Sequence, residues 1–190
     1  MSCTARHAEL ALAVARDLGR DTEGAEIALD LLALGLRRGG ARVELGAVSR
    51  LCAGFERGEA LLLPDVLAAK AGHPTGVALV AAAAAQRAGL QAEVVGYGET
   101  LLLAHPGAAL VVDPADGRIF DGHELGVDLA WRCAHETAAT VLDRTAERAE
   151  RTGDLALAMA ARALTLTLPL ENASRAYRVD EHRRLLARLN

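Results

Sequence analysis

The sequence predicts a mostly helical α+β domain with a small antiparallel sheet packed on a central helix and a helical hairpin at its C-terminal end. Three observations carry that reading. Although 52% of the 190 residues are hydrophobic, only two are Phe, two Tyr and one Trp, so Leu, Ala and Val must build the core, and these pack helix backbones closely. Apolar residues recur every three or four positions at both ends of the chain. Between them, residues 91–120 divide into short β-like runs separated by Gly, Pro and Asp. A chain of this length holds one well-buried core. We therefore expect a single domain over 1–190, with N-terminal helices at 1–71, a central helix and sheet at 72–126 and a helical tail at 127–190.

Taken in order, Leu10, Val14 and Leu18, then Ile27, Leu31 and Leu34, mark two amphipathic helices between residues 5 and 38, with a turn at 19–24. A third helix is expected over 43–57 and a fourth over 61–71, the latter opened by Pro64 and Asp65, residues suited to a first helical turn. The turn Gly72-His73-Pro74-Thr75-Gly76 precedes a helix over 77–88, with Thr75 as its cap. That helix is apolar nearly all round through Ala81–Ala85, as expected of one touched on every side. Strands follow at 91–95, 100–104 and 109–112, with a return at 118–120. The turns between them are 96–98, 105–107 and 113–117. Helix returns over 133–151 and 155–166, broken at Thr152-Gly153-Asp154, and a last helix spans about 179–189.

Composition excludes several functions. A net charge of −4 with intermixed signs offers no basic stripe for phosphates, so nucleic acid is not the expected partner. Three cysteines, Cys3, Cys52 and Cys133, without a Cys-x-x-Cys pair, suit neither a disulfide framework nor structural zinc, and a reducing cytoplasm is the simplest setting. Arg6 and Glu9 interrupt the first turns, unlike a secretory signal. The longest apolar run, 77–85, is well short of the roughly 20 residues that span a bilayer. No membrane association is expected.

The order of these features resembles the transglutaminase-like superfamily, in which a cysteine opens the central helix, a histidine begins a strand, and an aspartate stands before proline on the next strand. Within it the chain is most similar to SirB-type bacterial proteins, which carry a Gly-Asn-Pro-Ile-Ser turn, an Arg-x-x-Gly-Leu helix end, a Pro-Gly-His-Phe strand start and an Asp-Pro-x-x-Gly turn. Gly72-His73-Pro74-Thr75-Gly76, Arg87-Ala88-Gly89-Leu90, Tyr97-Gly98-Glu99-Thr100 and Asp113-Pro114-Ala115-Asp116-Gly117 stand at the matching places. Thr152-Gly153-Asp154, Ala158 and Leu166-Thr167-Leu168-Pro169 resemble a tetratricopeptide-type tail. The resemblance runs from about Leu62 to the C-terminus, and order and spacing carry it more than any one motif.

This resemblance implies a thiolate nucleophile, a histidine base and an orienting carboxylate. Registered on the Gly89 end of the helix, Pro74 stands at the cysteine's place, Glu99 at the histidine's and Asp113 at the carboxylate's. Cysteine-dependent acyl transfer is therefore not expected. Cys52, between Leu51 and Phe55, and Cys133, two residues from His135, read as buried small hydrophobes. Cys3 lies near the terminus.

Two readings of the groove remain. His73, Glu99 and Asp113 can form an acid/base set in which paired carboxylates push one pKa up. Alternatively, Asp113 organises its turn while Glu99 is solvated. Thr75 and Tyr97 are the ligand-binding candidates. Asp113, Asp116, Asp121 and His123 are metal-ligand types, but their spacing does not match a calcium loop, and neither metal nor cofactor is implied. Gly96-Tyr97-Gly98 lacks the lysine of a phosphate loop and reads as a tight turn.

The leading functional expectation is a catalytically degraded transglutaminase-like protein that binds or regulates a protein or small-molecule partner. The alternative is a repurposed enzyme using Glu99, Asp113 and His73 in the former groove. A structural role in a larger complex is the third, and a large exposed apolar patch would be its mark.

Overall fold

The computed structural model describes residues 6–98, 100–125 and 129–189. The chain opens with α1 (His7–Asp17) and α2 (Glu23–Gly35), followed by α3 (Ala41–Ala53). α3 stops before the expected Arg57 because the backbone leaves it for a strand. Glu56–Arg57 forms β1, which pairs in parallel with β2 (Ala71–Gly72). Glu56 N–H donates to Lys70 O at 3.0 Å and Gly58 N–H to Gly72 O at 3.1 Å. Between the two strands lies α4 (Leu63–Ala69), with Pro64 in its first turn.

α5 (Pro74–Ala88) is the centre of the molecule. It starts earlier than expected because His73, not Thr75, caps it: His73 Nδ1 accepts from Thr75 N–H at 3.2 Å. Proline's fixed φ suits the first helical position. From Val77 to Ala85 no residue is more than 3% exposed. Helices α1, α2, α3 and α4 pack around it, and its alanines let their backbones approach.

The remaining side of α5 meets a five-stranded antiparallel sheet of β3 (Glu93–Tyr97), β4 (Thr100–His105), β5 (Ala108–Val112), β6 (Ile119–Asp121) and β7 (Ala130–Trp131). Its order is β6-β5-β4-β3-β7. Period-two alternation divides the two faces. Val94, Leu101, Leu103 and Val112 join the main core, while Val95, Leu102, Ala104 and Val111 make a smaller cluster on the outer face with Phe120, Leu125 and Leu129. At two residues, β7 is too short to leave a pattern in sequence.

The tail consists of α6 (Ala134–Thr152), α7 (Leu155–Thr167) and α8 (Asn172–Leu189). α6 and α7 form an antiparallel pair whose turn combines left-handed Gly153 (φ 81°) with Asp154, which accepts from Leu157 N–H at 3.0 Å. α8 begins at Asn172, earlier than the expected 179. Arg162, 6% exposed, binds the three together: it lies 3.4 Å from Asp143 and 3.3 Å from Glu150 on α6 and 3.9 Å from Glu181 on α8. Among the described residues, no helix is long and apolar enough to cross a membrane.

Two predictions follow from these buried polar groups. Replacing Arg162 with methionine takes one guanidinium from Asp143, which keeps Arg178 at 2.8 Å, and one from Glu150. The expected cost is about 1–3 kcal/mol, read from urea unfolding.

The second concerns His7, which joins α1 to α5 and α6. Its Nδ1 accepts from Gln86 Nε2 at 3.0 Å, its backbone N–H donates to Gln86 Oε1 at 3.0 Å, and its Nε2 lies 3.3 Å from Thr137 Oγ1. Burial lowers its pKa from the ordinary 6.5, against the opposing pull of the Gln86 bond. The native state thus holds His7 neutral while the unfolded chain takes up a proton. Its contribution is complete above pH 6.5 and is lost as pH falls from there through the lowered native value. Urea midpoints measured from neutral to mildly acidic pH should fall less steeply in His7→Gln than in wild type.

Candidate functional site

Strand register explains why the candidate residues gather at one end. Glu93 pairs with Ala104 and Tyr97 with Thr100, while the C-terminal end of α5 leads through Leu90 into the start of β3. The N-terminus of α5 consequently points toward the β3–β4 turn. β5 runs the same way, since Val112 pairs with Leu103, and it delivers Asp113 to that end. Arg144 on α6 supports this placement, because it lines a cavity with Gly98 and Leu101 and its charge acts on His73. Glu99 lies outside the described residues.

Proximity in the fold has not joined His73 to Asp113. The half-buried His73 has a pKa lowered by burial first and by the Arg144 and Arg151 charges, with Glu59 opposing. The Asp113 charge acts instead on Cys52. Asp113 Oδ1 accepts from Ala115 N–H at 2.8 Å, the bond that an aspartate makes when it organises its own turn. Asp116 and Asp121 do the same, accepting from Arg118 N–H and His123 N–H at 2.9 Å each. Among the described residues, no three His, Cys, Asp or Glu side chains are placed to hold a metal.

The Asp113 turn is docked on α3. Ser49 Oγ donates to Gly117 O at 2.5 Å. Gly117 holds φ at +75°, and a Cβ there would run into Ser49 O and Ala53. This docking brings Cys52 and Asp113 together across a long sequence separation, with no signal in the sequence.

The first turn of α5 is closed to a nucleophile. Pro74 is half-buried, Thr75 is 3% exposed inside the turn, and a Cβ at Gly76 would lie 2.9 Å from both Ala60 O and Val66 Cγ2. Tyr97, by contrast, is 38% exposed at the end of β3. Neither described thiol reaches this turn's chemistry. Cys52 is 1% exposed, and its pKa is pushed up to about 12 by burial first and by Asp113 second. Cys133 is the N-cap of α6, where Glu136 accepts from its backbone N–H at 2.9 Å. Cys3 lies outside the described residues.

Beside the β3–β4 turn is a cavity of about 180 Å³ in which Gly98 and Leu101 face Arg132, Arg144 and Asp143, with Tyr177 of α8 at its side. Arg132 lies across Gly96, where a side chain would collide with its guanidinium, and pairs with Glu136 at 3.6 Å. Sequence reasoning missed this wall. Its trace was Thr140, Asp143, Arg144 and Glu147, a polar stripe at helical spacing on α6 that reads as an ordinary solvated face.

The Cys52 geometry predicts a thiol that does not react while the protein is folded. In a Cys3→Ser/Cys133→Ser chain at pH 8, iodoacetamide should label Cys52 only at the rate of global unfolding, with labelling accelerating through the urea transition. Rapid labelling under native conditions would contradict the buried placement.

Comparison with known protein families matches residues 52–164, more than half of the chain, to the transglutaminase-like superfamily. No curated protein and no solved structure matches significantly. The match takes in α4, α5, the sheet and most of the α6–α7 pair. The chain belongs to the transglutaminase-like superfamily.

Proposed function

We propose that this domain is a SirB-type member of the superfamily that has lost cysteine chemistry and holds a protein or small-molecule partner at the open end of α5. The observation that carries this reading is the chemistry of that helix start. His73-Pro74-Thr75-Gly76 supplies no thiol, and Cys52, the thiol next to Asp113, is buried and protonated at neutral pH. Thiolate is the species that attacks an acyl group. A thiol titrating at about 12 supplies almost none of it.

The cavity beside Gly98, with cationic Arg132 and Arg144 and the aromatic Tyr177, has the mixture of polar and apolar groups that holds a ligand. The SirB-type likeness draws support from the turn before α5, the Gly89-Leu90 helix end and the Asp113–Gly117 turn on α3. The antiparallel α6–α7 pair with Gly153-Asp154 at its corner suits a tetratricopeptide-like tail that braces the groove. Cys52 and Cys133 outside any disulfide suit a cytoplasmic setting.

The repurposed-enzyme reading draws on a His73 whose lowered pKa keeps it neutral near pH 7, as a general base requires. Its weakness is that Asp113 is engaged with Ala115 N–H and Cys52, and the carboxylate whose charge reaches His73 among the described residues is Glu59.

Two measurements test the proposal together. Amine incorporation into a glutamine peptide by wild type should equal that of Cys52→Ala/Cys133→Ser, at background. Turnover that the substitutions remove would sink the proposal. Tagged protein from its native cells should retain a stoichiometric protein or small molecule that Arg144→Glu and Tyr97→Ala release while circular dichroism stays unchanged.

A further inference from the structure

The surface of α2 carries an apolar stripe that its own fold leaves open. Ile27, Leu31 and Leu34 recur at helical spacing, and they are 62%, 64% and 83% exposed. The opposite side of the same helix already meets the core through Ala25, Leu29 and Leu32. α2 therefore has two apolar faces and only one partner. Three large side chains in a row on one exposed face mark an association surface, since scattered apolar residues are ordinary but a contiguous stripe is not.

Charge along the helix identifies what covers it. Glu23 continues the stripe one turn before Ile27, and Glu26 stands in the same first turn. Arg37 stands just past the Leu36 cap of α2, and Arg42 is in the first turn of α3. These four side chains take no part in the ion pairs of the described residues. Their neighbours are already occupied: Asp30 is paired with Arg87, and Arg38 Nε donates to Ala88 O at 2.5 Å. The stripe is thus acidic at its N-terminal end and basic at its C-terminal end, a surface complementary to itself when reversed.

We propose that a second copy of this chain docks on the stripe, α2 against α2 in antiparallel orientation about a two-fold axis near Leu31. The pairing is isologous. Ile27 meets the partner's Leu34, Leu31 meets its own equivalent, and the acidic end of each helix lies over the basic end of the other. Gly24 and Gly35 on the flank have open space above them, so these two positions put no side chain in the way of the contact. Because α2 precedes the family-matched residues 52–164, the surface belongs to a part of the chain outside the groove, and its test does not depend on the groove's function.

Sedimentation equilibrium on the full chain tests the proposal. Wild type should behave as twice its 19.9 kDa at micromolar concentration. Leu31→Asp, which places two carboxylates on the axis, should weaken association on the order of 100-fold with unchanged circular dichroism. Charge reversal tests the pairing of charged ends without touching the core. Glu23→Arg/Glu26→Arg and Arg37→Glu/Arg42→Glu should each sediment as monomers alone and form a mixed dimer at equal amounts. A wild type that stays monomeric at about 100 µM, including one that co-purifies with a different protein on this face, would overturn the proposal. So would a dimer indifferent to Leu31→Asp, or reversed chains that fail to combine.

Discussion

Everything in this fold depends on burying α5 on all sides. A helix whose residues from Val77 to Ala85 are at most 3% exposed has no solvated face to fix its rotation, so the elements around it must fix it. Small side chains make this possible, because an alanine surface lets neighbouring backbones pack closely. They also make it fragile: enlarging any one of these residues would push a whole helix or strand outward, and overpacking typically costs about 1–3 kcal/mol. The Gly76 contact with Ala60 O and Val66 is the same constraint at its limit.

Polar contacts at both ends supply the register that alanines cannot. At the C-terminal end, Gln86 is locked to His7 by reciprocal hydrogen bonds, and Arg38 donates to Ala88 O. Nearby, Glu44 of α3 accepts from Gln91 N–H at 2.8 Å and lies 3.6 Å from His105 Nε2, while His105 Nδ1 accepts from Gly107 N–H. This assigns the imidazole proton to Nε2, facing the carboxylate. Glu44 and His105 are 7% and 8% exposed, and removing either would strand a polar group in the core. The C-terminal end of α5 is thus held by buried, satisfied polar groups. Its N-terminal end is held by the His73 cap and by His73 N–H, which donates to Ala60 O at 2.9 Å.

The helices and central strands were legible because their signals are local. Pro64, Gly89, Gly153 and Asp154 act within a few residues, and α1, α5, α6 and α7 lie where periodicity and caps placed them, within a residue or a few. What could not be read depends on partners distant in sequence. β1 exists because Lys70 O and Gly72 O accept from it. β7 exists because Val94 O accepts from Arg132 N–H at 2.9 Å. The cap on α5 went to His73 because its ring folds back on Thr75 N–H, a histidine role that residue preferences do not suggest. In the candidate site, sequence order placed Asp113 and the start of α5 at the same end of the sheet. The neighbours that decide their chemistry, Cys52 for Asp113 and Arg144 for His73, come from helices α3 and α6 and left no local trace.

On the proposed reading, a start of α5 without a thiol and the docking of the Asp113 turn belong together. A working thiolate needs a half-open helix start, a cation or histidine to lower its pKa, and a carboxylate free to orient that partner. Here the carboxylate faces Cys52, whose pKa is raised by burial first and by Asp113 second, the reverse of activation. His73, which is not at the family histidine's place, has its protonation opposed by burial first and by Arg144 and Arg151 after it. Each group has been taken up by a structural neighbour: Asp113 by its turn on α3, His73 by the cap of α5. On that reading a cysteine at residue 74 would not by itself support catalysis, because Asp113 is bound to its own turn and its charge acts on Cys52.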